Sequence, residues 1–267
     1  MLWDTHMHCH FSGDSESSPE SMIQEAITRG LPGICFTDHL DYDYKEEPGL
    51  FDLDFESYHA RIHELKEQYK NSISILFGIE IGLQPHLVAD NRKITDTYPF
   101  DFVIGSSHVV HGIDPYYPRY YDNRSEQEAY MEYFTSILEN IQSDADYDVY
   151  GHLDYVVRYG PNKNNFYSYD AYREIIDEIL KQIISHGKGI EINTAGFKYG
   201  LGHPNPTEDI LHRYHELGGE IITIGADGHK PEHIAYDFHR VPELLKNAGF
   251  TYYTVFQNRT PNFIPIP

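Results

Sequence analysis

The chain has 267 residues, 40% apolar and 23% charged, which suits one large water-soluble domain spanning 1–267 with a substantial core. Acidic residues outnumber basic ones 42 to 20, and the formal charge of −22 argues against nucleic acid and anionic membrane as bulk partners. Cys9 and Cys35 make no disulfide framework, no apolar run reaches the ~20 residues of a membrane span, and the N-terminus lacks a signal peptide's basic and apolar regions. A cytoplasmic protein is expected.

The first strand-like run, 2–8, ends in "HMHCH", where the two-residue period of a strand turns His6 and His8 to one face. Two imidazoles about 7 Å apart at their Cα atoms, by the rise of roughly 3.3 Å per residue, can converge on one metal ion. His10 falls where "FSGDSESSP" turns the chain, so it is expected to pack or hydrogen-bond nearby instead. A helix follows in "SSPESMIQEAITRG", with Ser17 or Ser18 to cap it, Pro19 in its first turn, an apolar stripe through Met22, Ile23, Ala26 and Ile27, and Gly30 to end it.

The second strand, 33–37, runs into Asp38 and His39; after a helix in "DFESYHARIHELKEQYK", the third, 74–82, carries Glu80 among apolar neighbours. The fourth, 101–106, delivers His108, and the Tyr-rich irregular stretch "HGIDPYYPRYYDNRSE" after it could lie over a site. The fifth, 148–152, delivers His152 and Asp154. A helix in "YDAYREIIDEILKQIISHG" leads to the sixth, 189–193, with Glu191 and Asn193. The seventh, 221–225, delivers Asp227 and His229, and an eighth run lies at 252–256.

Strands alternating with helices argue a parallel sheet of βα units, closed or nearly closed into a barrel. Metal-competent side chains then gather at the C-terminal ends of the strands, the face on which barrels build active sites. Histidines in helices and loops, such as the His59 and His63 pair, are expected to be surface groups. Asp4, Asp38 and Asp154 flank the ligand positions and are candidates to orient imidazoles from behind.

Taken in order, "DTHMHCHFSGDS", "FTDH", "FGIEIG", "IGSSH", "GHLDYVVRYG", "EINTAGFK" and "GADGH" resemble the PHP family, named for its polymerase and histidinol phosphatase members. The resemblance implies an α/β fold, a distorted (β/α)7 TIM-like barrel, holding three divalent metal ions. One of the eight strand-like runs, 252–256 in this reading, would then lie outside it. Carried over by motif, His6, His8, Glu80 and Asp227 would hold one ion, Glu80 would bridge to a second held by His108 and His152, and Asp14, His39 and His229 would hold the third. Asp14 stands in "SGDS" where the family more often has "SDG", and "GADGH" replaces the more usual "GSDAH".

Within the family, "GHLDYVVRYG" and "EINTAGFK" followed by "PNPTEDIL" look like the stand-alone histidinol-phosphate phosphatases of histidine biosynthesis. The implied reaction is hydrolysis of a small phosphate monoester, with a hydroxide shared between metal ions attacking phosphorus. Imidazole and carboxylate ligands suit zinc, iron or manganese. Arg158 and Lys198, the basic residues in site-adjacent motifs, are candidates to neutralise phosphoryl charge, with Arg119 and Asn193 weaker substrate-binding candidates. Asp227 and His229 join the catalytic set, His229 or a bound water being the source of the leaving group's proton. The alternatives are a phosphoesterase for a phosphoprotein or another small phosphate, and an amidohydrolase. The latter expects a bridging Lys where "IGSSH" supplies His108.

Overall fold

The computed structural model describes residues 1–267. Its organising feature is parallel pairing: β1 (Asp4–Met7) pairs with β2 (Gly33–Phe36), and β2 with the first half of β4 (Ser74–Gly82). The two-residue β3 (His39–Leu40) pairs with the second half of β4, so β2 and β3 are one strand interrupted at Thr37 and Asp38. The sheet continues in parallel through β5 (Phe102–Ser106), β6 (Val149–Tyr150), β7 (Gly189–Asn193) and β8 (Ile222–Gly225). Near-continuous burial along these strands follows from having helices on one side and the barrel interior on the other.

No ladder joins β8 to β1, yet the barrel closes just past the end of β8. Asp227 N donates to His6 O, and His8 N donates to Gly228 O, each at 2.9 Å. Asp4 reinforces this seam by accepting Ala226 N on one carboxylate oxygen and Ala235 N on the other, at 3.0 and 2.8 Å. Its role is to join backbones, not to orient an imidazole.

The outer layer comprises α1 (Pro19–Thr28), α2 (Phe55–Tyr69), α3 (Val88–Thr97), α4 (Glu126–Gln142), α5 (Arg173–Ser185), the one-turn α6 (Ala195–Lys198), α7 (Glu208–Glu216) and α8 (Val241–Asn247). Helix α1 starts where expected: Ser18 accepts Ser21 N, Pro19 occupies the first turn, and Met22, Ile23 and Ala26 are buried. Helix α4 carries a reciprocal cap, with Ser125 and Glu128 each satisfying the other's backbone N–H. Helix α5 buries Ile176, Ile179, Leu180 and Ile183, each such side chain stabilising the fold by about 1.5–3 kcal/mol.

The eighth run lies outside the barrel. There β9 (Tyr252–Gln257) pairs antiparallel with β10 (Thr260–Pro265), and the hairpin covers the N-terminal ends of the barrel strands. Phe256 stacks on Phe102 at 5.2 Å, and Arg259 reaches Asp148 at 2.6 Å and Asp146 at 2.9 Å. With that end plugged, only the C-terminal rim remains for a site. Both cysteines are free, and no helix is long and apolar enough to cross a membrane.

Candidate metal centre

Strand β1 turns His6 and His8 inward together, and each imidazole is fixed from behind. Glu191 on β7 stands 2.7 Å from His6 Nδ1 and can only accept, so Nδ1 carries the proton and Nε2 is left to bind. Gly225 makes room for this pair, because a Cβ there would collide with both Glu191 Oε1 and the His6 side chain. Ser12 fixes His8: its Oγ donates to Asp38 at 2.9 Å and accepts from His39 N and from His8 Nδ1, at 2.9 and 3.2 Å. Asp38 therefore orients His8 through Ser12, and also gathers Cys9 N and Ser12 N, at 2.8 and 3.1 Å, to shape the turn.

Glu80, wholly buried on β4, is the hub. Its Oε1 lies 2.9 Å from His152 Nε2 and 3.3 Å from His108 Nε2, and its Oε2 lies 3.1, 3.2 and 3.5 Å from His6, His39 and His8. Burial opposes its charge, but His6, His108 and His39 outweigh that and hold the carboxyl well below the usual range. Burial likewise opposes charge on His6, which Glu191, Glu80 and Asp227 overcome, pushing its pKa well up. His8, buried and beside His39 and His229, is pushed well down.

Asp41 is no strand-end ligand candidate by motif, yet its Oδ1 accepts from His108 Nδ1 at 2.8 Å and leaves His108 Nε2 toward Glu80. The signal was present: Asp41 is two residues beyond His39, on the same side of an extended chain. Asp14 and His229 complete the rim, Asp14 Oδ2 lying 2.9 Å from His229 Nε2 and 3.7 Å from His39 Nε2. His10, as expected, stays out; it is exposed and stacks on Phe11 at 4.5 Å.

These donors fit divalent cations. Five triads have ligand atoms within 4.8 Å of one another: His6–His8–Glu80, Glu80–His108–His152, His8–His39–His229, His6–His152–Asp227 and His39–Asp41–His108. Among them His8 Nε2, His39 Nδ1, His152 Nδ1 and Asp41 Oδ2 are buried with no hydrogen-bond partner. One such orphan costs about 1–3 kcal/mol, and the unpartnered His8 Nε2 and His39 Nδ1, both beside Glu80, fit metal binding.

Above the cluster opens a cavity of about 370 Å³, within the usual range for small-ligand sites. Arg158 lines it, 3% exposed, with Nε donating to Asn205 at 2.9 Å, one terminal nitrogen to Asp227 Oδ2 at 2.8 Å and the other to Asn193 Oδ1 at 3.1 Å. Three of its five N–H groups are thus engaged and two remain. Tyr155 and Tyr199 lie under the guanidinium, 5.4 and 5.0 Å from its carbon. The far wall is aromatic and acidic: Tyr44, Phe51, Tyr116 and Tyr117 with Glu47 and Asp114. Burial pushes the Asp114 carboxyl up, and neither acid has a cationic partner within 4.0 Å.

Three candidates stand elsewhere than expected. Asn193 is wholly buried, holding Arg158, Ala195 N and Glu191, and so backs the site without reaching the cavity. Arg119 is about half exposed and drawn away by Glu46. Lys198 does not line the cavity: its amine donates to Asp227 O at 3.0 Å, bracing a residue whose backbone is held at φ +53°, and burial pushes its pKa down. Asp154 does not orient an imidazole either; it bonds to Asn205 at 2.5 Å.

The family model described as "PHP domain" matches residues 4–195. A histidinol-phosphatase of Lactococcus lactis subsp. lactis is 37% identical over 252 residues, covering 92% of this chain and 91% of the relative. A probable histidinol-phosphatase of Clostridium acetobutylicum is 32% identical, with 93% and 94% covered. The crystal structure of the Lactococcus lactis histidinol phosphate phosphatase, complexed with zinc, L-histidinol and phosphate, aligns at a TM-score of 0.91 and 35% identity over 98% of both chains.

Proposed function

This chain belongs to the PHP domain family, and from that footing we propose that it is a histidinol-phosphatase, a metal-dependent phosphomonoesterase that hydrolyses L-histidinol phosphate to L-histidinol and phosphate. One observation carries the reading: a buried cluster of imidazoles and carboxylates with unpartnered ligand atoms opens directly onto a cavity lined by an arginine with two free N–H groups. In our reading residues 1–267 act as one catalytic domain.

Three divalent ions, zinc, iron or manganese, would be held by His6, His8, Glu80 and Asp227; by Glu80, His108 and His152; and by Asp14, His39 and His229. Such ions supply Lewis-acid charge to the phosphoryl oxygens and bring the pKa of water from 15.7 towards about 7, which makes a nucleophile available at neutral pH.

The chain's own residues supply the rest. Arg158 offers its two remaining N–H groups to phosphoryl oxygens, and its ion pair with Asp227 and bonds to Asn193 and Asn205 keep the guanidinium from turning away. Tyr155 and Tyr199 stand within cation–π distance of the guanidinium and help keep it in place. Glu47 and Asp114, acids without cationic partners in an aromatic wall, complement the ammonium and imidazole of histidinol. His229 Nδ1 donates to Asp227 O at 3.1 Å, which leaves Nε2, 2.9 Å from Asp14, for the ion these two would share with His39; the departing alcohol would then take its proton from water.

The cavity admits a small ester better than a protein segment, and His108 rather than a lysine meets Glu80 after β5, against an amidohydrolase. The test is phosphate release from L-histidinol phosphate by metal-replete protein, beside a generic aryl phosphate and the same assay after chelation. Chelator-sensitive turnover favouring histidinol phosphate is expected. Turnover of the aryl phosphate alone would discard the substrate, and no turnover of either would discard the phosphatase.

A further inference from the structure

The clamp on Arg158 extends beyond the side chains that touch it. Asn205 accepts from Arg158 Nε through Oδ1, which requires its amide to present the carbonyl end to the guanidinium. The two ends of an amide have nearly the same shape, so packing alone does not choose between them. Asp154 makes the choice. Its Oδ1 accepts from Asn205 Nδ2 at 2.5 Å, and a carboxylate oxygen set there offers nothing to an amide oxygen turned towards it.

Asp154 is itself held on both oxygens. It is wholly buried, and its Oδ2 accepts from Tyr167 Oη and Thr207 N, each at 3.2 Å. No lysine, arginine or histidine nitrogen stands within 4.0 Å of it, so its partners are hydrogen-bond donors and not an opposing charge. The backbone of Asn205 is fixed as well, exchanging two 2.8 Å bonds with Asn193, the other amide on the guanidinium. Asp154 lines neither the cavity nor any of the metal-type triads.

We propose that Asp154 is a positioning residue for phosphoryl binding: by setting the orientation of the Asn205 amide it aims the Arg158 guanidinium at the cavity, while touching neither substrate nor ion. This rests on the reading that Arg158 meets the phosphoryl group. Replacing Asp154 by Asn leaves one oxygen where there were two, so either Asn205 Nδ2 or Thr207 N faces another donor, and the Asn205 amide is free to turn.

The decisive comparison uses Asp154→Asn, Asn205→Asp and the two combined. In the combined variant the amide at 154 donates to the carboxylate at 205, which still accepts from Arg158 Nε, while its oxygen still receives Thr207 N. The clamp is rebuilt with its polarity reversed.

Binding of inorganic phosphate to metal-replete protein, by calorimetry, is the first readout; metal content and the kcat and KM for L-histidinol phosphate are the others. Asp154→Asn should weaken phosphate binding about 10-fold or more, the size of effect typical of outer partners of a site, with metal content unchanged and most of the loss recovered in the combined variant. Wild-type phosphate affinity in Asp154→Asn, or a combined variant no better than Asp154→Asn, overturns the proposal. If Asp154→Asn does not fold, Asn205→Ala removes the same oxygen from Arg158 Nε; wild-type phosphate affinity there overturns it equally. A wild-type protein that binds phosphate but turns over no histidinol phosphate would fault the substrate and leave the positioning role standing.

Discussion

A single methyl group at Gly225 should loosen the metal centre without touching a ligand. The backbone of Gly225 is outside the left-handed region, so Gly225→Ala meets no conformational penalty there and its cost is steric. The added Cβ would overlap Glu191 Oε1 and the Cβ of His6, two groups held 2.7 Å apart through His6 Nδ1. Both are wholly buried and have nowhere to retreat. Overpacking of this kind costs about 1–3 kcal/mol of stability. Moving Glu191 off His6 also releases the tautomer that keeps Nε2 free, and loss of such an outer partner weakens metal binding about 10–100-fold. A tenfold weaker site forfeits roughly 1.4 kcal/mol of metal-dependent stabilisation at saturating metal.

The assay is thermal unfolding of chelated and metal-loaded protein, wild type and Gly225→Ala, with metal content measured in parallel. The metal-induced rise in Tm should shrink in the variant beyond the fall already present in the chelated state. An unchanged rise with full metal content would refute the argument that Glu191 governs His6 as a ligand.

Arg158→Ala should cut turnover of histidinol phosphate by about 100-fold or more while leaving most of the bound metal, since it removes a charge-assisted phosphate contact and no ligand; unchanged turnover would remove Arg158 from the site. Exhaustive chelation should abolish activity and lower Tm together, because it leaves the buried ring nitrogens of His8 and His39 without a partner, and restored metal should recover both. Ser125→Ala, on an exposed cap that lines no part of the cavity, should lower stability by about 1 kcal/mol in denaturant unfolding with kcat and KM unchanged.

The rim was legible because a strand's period of two is strict. His6 and His8 had to share a face once β1 was recognised, and Glu80 lies within, and His108 just after, short apolar runs that read as buried strands. Interruptions and irregular chain hid the rest. The break between β2 and β3 masked Asp41, whose bond to His108 depends on where a short second piece of strand resumes. Glu191 and Asn193 share a face, so the sequence marks both as inward but cannot say that one meets an imidazole and the other a guanidinium. Tyr44, Glu47 and Phe51 come from a loop without periodicity, and Arg119 stands away from the cavity because Glu46, more than seventy positions earlier, draws it off, a pairing no local pattern reveals.

The seam between β8 and β1 has a consequence for biosynthesis. His6 and His8 emerge first from the ribosome, whereas Asp227 and Gly228, which hold their backbones, and His229, which stacks on His8, follow some 220 residues later. At about 5–20 residues per second the first ligands wait roughly 10–45 s for their partners. Throughout that interval the nascent chain has imidazoles but no closed ring to set their spacing. A cation met early would face an unformed site, and a site built from these residues would be complete only after synthesis has passed His229.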